Sequence, residues 1–135
     1  MQTESQATEW PTVFLFVVTY AVWVAGTTVL WSFSPTLAIL LTALAIGQYS
    51  SLTHEVLHGH PFRNQTLSEL LVFPGLTIYV PYLRFKDLHL KHHYDPALTD
   101  PYDDPESNYL DPKVWARLPR PPKLLPRFNN TLAGR

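Results

Sequence analysis

The run PTVFLFVVTYAVWVAGTTVLWSFSPTLAILLTALAIGQYSSLTHEVLHGH, residues 11–60, decides the fold. From Trp10 to Thr53 the chain contains no Asp, Glu, Lys, Arg or His. Pro11 to Trp31 is 21 uncharged residues, about 31 Å as a helix, which is the thickness of a hydrocarbon core. Trp10 and Trp31 bracket it as interfacial aromatics do, and Pro11 suits a first helical turn. SFSP reads as a short turn. Pro35 to Thr53 then supplies a second uncharged stretch of 19 residues. One such run could be the core helix of a soluble protein. Two in succession predict a transmembrane helical hairpin, hence an all-α integral membrane protein.

The remainder of the 135 residues is written for a different solvent. All ten Lys and Arg lie at Arg63 or later, and eleven of the thirteen prolines at Pro61 or later. The net charge is only −1, and no nucleic-acid partner is expected. The absence of cysteine excludes disulfides, thiolate metal sites and cysteine nucleophiles together. The opening MQTESQATEW has no basic n-region, so the first apolar run reads as a retained anchor and not a cleaved signal. The positive-inside rule places residues 54–135 and the N-terminus in the cytoplasm.

Four segments follow. Residues 1–10 form a cytoplasmic tail, and 11–60 the hairpin. Residues 61–95 begin with the apolar but Pro- and Gly-broken Leu70–Leu83 stretch, which suits an interfacial or re-entrant path. RFKDLHLKHHYD then predicts a short helix. Residues 96–135 hold a turn-rich acidic loop, announced by Asp95-Pro96, Asp100-Pro101, Asp104-Pro105 and Asp111-Pro112. After the loop comes an irregular, basic, proline-rich tail that could lie along an anionic leaflet.

All six histidines fall between His54 and His93. His54 and His58 are one helical turn apart on one face. Gly59 and Pro61 end that helix, leaving His60 beyond it. His89, His92 and His93 again share one face. His89 lies 31 positions after His58, enough chain to leave the surface and return. Imidazole suits Fe, Cu, Ni and Zn, and so many histidines suggest more than one ion. HEVLH also matches the H-E-x-x-H zinc protease motif, with Glu55 as general base. A protease would leave most of His60, His89, His92 and His93 unexplained. A non-catalytic membrane fragment is the remaining alternative.

HEVLHGHP and LHLKHHYD, followed by TDPYDDPES, resemble the first two histidine boxes of the membrane fatty acid desaturase and hydroxylase superfamily, and look most like its bacterial desaturase branch. The resemblance implies a non-haem di-iron centre, O₂ as co-substrate, and a lipid acyl chain as the molecule oxidised. It also implies electrons from a ferredoxin, rubredoxin or cytochrome b5-type partner. A desaturase would form a C=C bond; a hydroxylase or alkane monooxygenase would insert oxygen. By position, His54 and His58 match box one and His89, His92 and His93 match box two, with His60 a weaker ligand. Glu55, Asp95 and Asp100 are candidates to hydrogen-bond the outer ring nitrogens, with turn chemistry the competing role for the two Asp. The superfamily carries a third H-x-x-H-H box after a second pair of spans, and no histidine follows His93. Truncation is the favoured explanation, so this chain by itself is expected to lack a complete di-iron site and to be inactive.

Overall fold

The computed structural model describes residues 7–78 and 80–131. Met1 to Gln6 of the N-terminal tail, Tyr79 and the last four residues lie outside that description. Among the described residues every regular element is a helix. The elements are α1 (Trp10–Thr27), α2 (Val29–Phe33), α3 (Pro35–Leu57), α4 (Gln65–Leu70), α5 (Tyr82–Tyr94), α6 (Pro112–Arg117) and α7 (Arg120–Asn129). The chain divides into two compact units, Met1–Asp87 and Leu88–Arg135.

In the first unit α1 packs against α3. Both are long and apolar enough to cross a membrane, and both leave most of their apolar surface uncovered. Phe14, Val17, Ile39, Leu40 and Leu44 are all exposed. The expected single helix from Pro11 to Trp31 breaks at Thr28, whose backbone leaves helical geometry, and α2 resumes for one turn. Thr27 and Thr28 turn their hydroxyls back to the carbonyls of Trp23 and Val24, the local bonding by which Thr competes with the helical ladder. Ser34 then caps α3, its hydroxyl accepting from the Leu37 N–H. Gly26 lets the two helices meet: a Cβ there would stand 2.3 Å from Thr42 Oγ1.

The core of this unit is Phe16, Tyr49, Leu52, Val56 and Val72, flanked by Tyr20, Leu71, Leu76 and Tyr82. Two tyrosines sew the hairpin to the segment after α4. Tyr20 donates to the Leu71 carbonyl at 2.6 Å, and Tyr49 to the Val72 carbonyl at 2.5 Å. Leu71–Pro74 forms turns, and among the described residues no helix begins again before Tyr82. The proline-broken stretch is therefore irregular, as its composition requires. Asn64 caps α4 through the Thr66 and Leu67 N–H groups. Glu69 on α4 accepts from Lys86 Nζ at 2.5 Å, Gln65 Nε2 at 3.1 Å and the Tyr82 hydroxyl at 3.3 Å.

In the second unit the loop between α5 and α6 is turn-rich, as the Asp-Pro pairs predict. The tail corrects the expectation of irregular structure, because α6 and α7 form there. Asp111 caps α6 by accepting from the Lys113 and Val114 N–H groups. Pro112, Pro121 and Pro122 fall in first turns, where a missing N–H costs nothing. Only Pro126 lies inside a helix.

Candidate metal centre

His54 sits in the last turn of α3 and His58 is its C-cap residue. Leu52, Thr53, Val56 and Leu57 are buried around them, so the packed face of α3 fixes where this pair points. Their rings lie 4.7 Å apart between centroids, and each offers a nitrogen within 4.8 Å of the other. Gly59 then turns the chain at φ +93°, a left-handed conformation natural to glycine. Beyond it, His60 points elsewhere: its Nδ1 meets Glu9 Oε1 at 2.6 Å, while the Glu9 N–H donates to the Pro61 carbonyl. His60 thus ties the end of the hairpin to its beginning. Glu55 Oε1 stands 4.0 Å from His54 Nδ1, beyond hydrogen-bonding reach.

The second cluster is on α5. His89 is the buried residue of that helix. Its Nδ1 lies 2.9 Å from Glu106 Oε1, and His92 Nδ1 lies 2.7 Å from Asp104 Oδ1. A carboxylate only accepts, so each places the proton on Nδ1 and leaves the Nε2 lone pair for a metal. Asp104 is itself held by the N–H groups of Thr99 and Glu106 at 2.8 and 2.9 Å. Burial pushes its carboxyl pKa up, but those N–H groups and the His92 ring outweigh burial and hold it below the usual carboxylate range. The hydrogen bond that the His92 ring donates to Asp104 raises the pKa of His92 in turn.

His93 Nε2 and His89 Nε2 approach to 2.9 Å. With Nδ1 of His89 protonated toward Glu106, its Nε2 carries a lone pair, and a proton or cation must share the gap. Nitrogen donors backed by carboxylates suit iron among other transition metals.

Residues 30–134 match the fatty acid desaturase family. The chain belongs to that family. No curated protein and no solved structure matches it. The desaturase match takes in both histidine clusters, each of which could contribute to holding a metal ion.

Asp104 and Glu106, which the sequence reading does not single out, are the carboxylates that meet His92 and His89. Asp95 and Asp100, named for the bracing role, use their carboxylates on turns. Asp95 accepts from the Ala97 N–H, and Asp100 from those of Tyr102 and Asp103. The available signal was the acidic run TDPYDDPES as a whole. Within it, Thr99 at φ +70° turns the backbone and leaves Asp104 and Glu106, not the residues nearest the box, against the rings.

Proposed function

We propose that this chain carries the membrane-anchored, histidine-bearing part of an O₂-dependent fatty acid desaturase with a non-haem di-iron centre. The observation that supports it most is the pairing of His89 with Glu106 and His92 with Asp104 inside the matched desaturase region. Catalytic metal sites need such partners to fix ring tautomer and direction. Family membership supports serving one centre with both clusters. His54, His58, His89, His92 and His93 would hold the iron, with His60 a weaker ligand engaged by Glu9. Once bound, iron with O₂ and two electrons supplies an oxidant able to remove hydrogens from an unactivated methylene.

The protein's own part is positional. Glu106 and Asp104 keep the protons on Nδ1, and so aim Nε2. The uncovered apolar faces of α1 and α3 suit burial in lipid, with the acyl substrate in the same phase. The basic residues that follow α3 favour a cytoplasmic location for the histidines. Electrons would come from a ferredoxin, rubredoxin or cytochrome b5-type donor. A hydroxylase or alkane monooxygenase shares all of these features and differs in its product.

Metal analysis of the purified chain tests the reading. Iron binding that disappears in His89→Ala, with a new double bond in acyl products from the complete enzyme, is expected. Hydroxylated products would transfer the chain to the sister activity. A single zinc, with proteolysis abolished by Glu55→Gln, would overturn the proposal.

A further inference from the structure

We propose that α6 and α7 form a docking surface for the headgroups of an anionic bilayer. From Pro112 to Asn129 the chain carries Lys113, Arg117, Arg120, Lys123 and Arg127 and no acidic residue. Winding α7 at about 100° per residue gathers Arg120, Lys123 and Arg127 into one narrow sector and Leu124, Leu125 and Phe128 into the next. The apolar sector is uncovered, with Leu124 64%, Leu125 78% and Phe128 57% exposed. The basic sector is ordered by Trp115 of α6, whose ring takes Lys123 Nζ at 5.4 Å and Arg127 Cζ at 5.7 Å from its centroid. Stacking on an indole holds both cations side by side instead of letting them swing over the leucines.

A short convex helix with adjoining cationic and apolar sectors matches the boundary between phosphate headgroups and acyl chains. Trp115 is suited to the same depth. An acidic protein would answer the charges. However, a ten-residue helix offers less area than a stable protein interface needs, and it would still have to cover three large apolar side chains. The inference rests on the membrane reading above only in requiring a bilayer within reach.

The test uses the full chain reconstituted into phosphatidylcholine nanodiscs with and without phosphatidylglycerol, read by amide hydrogen exchange over residues 120–129. Exchange at least ten-fold slower in the anionic discs is expected. Lys123→Gln with Arg127→Gln should remove that protection, since each basic side chain contributes about five-fold to adsorption. Leu125→Gln should weaken it with the charges intact. Equal exchange in the two discs overturns the proposal. So does protection that appears in neutral discs on adding inorganic phosphate, or only on adding an acidic carrier protein. Resistance of the chain to alkaline carbonate extraction from vesicles reports insertion of α1 and α3 separately. A retained chain with an unprotected α7 overturns the docking surface alone, whereas an extracted chain overturns the membrane reading.

Discussion

The two histidine clusters are held by different physics. His54 and His58 stand at the end of a helix whose inner face is buried among Phe16, Tyr49, Leu52, Val56 and Val72. Apolar packing and two tyrosine hydrogen bonds to backbone carbonyls set their position. His89, His92 and His93 stand on a helix that buries only His89 among its residues. There the His89 and His92 rings are steadied by carboxylates from a loop. The first arrangement fixes a backbone and lets the rings follow. The second fixes the rings directly, and their proton positions with them.

The comparison breaks first at the ligands. His93→Ala removes the ring facing His89 Nε2 and should reduce iron binding to background, measured by metal analysis after purification. His60→Ala should cost far less iron, because its Nδ1 is engaged by Glu9. Equal losses in the two variants would place His60 among the principal ligands. Next, Glu106→Gln should weaken metal affinity 10- to 100-fold, about 1.4–2.7 kcal/mol, by loosening the Nδ1 proton of His89. Thermal unfolding of the metal-free protein should hardly change. A large fall in thermal stability with affinity intact would mean that the loop acts as packing after all.

How much of this was legible depends on which physics was at work. Packing on helices leaves a periodic trace, so the hairpin, the end of α3 near Gly59 and the shared faces of both clusters could be read from spacing alone. Bracing from a loop leaves none. Asp95, Asp100, Asp103, Asp104 and Glu106 are chemically near-equivalent in the sequence. The choice among them is made by turns and by Thr99 at positive φ, which no period announces. The helices of the tail are hidden for a related reason. Proline density argues against helix, but three of the four prolines within α6 and α7 fall in first turns, where proline is tolerated.

The packed side of the comparison is probed by Tyr49→Phe. Loss of the hydroxyl removes its bond to the Val72 carbonyl and should cost about 1 kcal/mol, read as a lower unfolding midpoint. Iron affinity should stay within error, because the lost hydroxyl bonds a backbone carbonyl and no histidine. A matching fall in that affinity would show that the packing under His54 and His58 sets their hold on the metal.

The smallest effect lies in the ion pair that joins α4 to α5. Lys86 donates a hydrogen bond that, more than any other influence, lowers the pKa of Glu69, against burial, which raises it; Gln65 and Tyr82 add to the lowering. A carboxyl depressed on folding contributes stability that is complete above its unfolded value, near 4.5, and is lost as pH falls through the lower folded value. The unfolding midpoint of the wild type should therefore drop on acidification below about pH 4.5, by more than that of Glu69→Gln, which has no carboxyl to protonate there. At neutral pH the two should differ by less than about 1 kcal/mol, since partly solvated pairs contribute little. The acid branch is the informative one. His92 also loses its carboxylate partner Asp104 in acid, and Glu69→Gln leaves that pair in place. An acid-induced fall in the variant as steep as in the wild type would assign the transition to that loop carboxylate, and would make the loop, not the α4–α5 pair, the first part of the structure to give way.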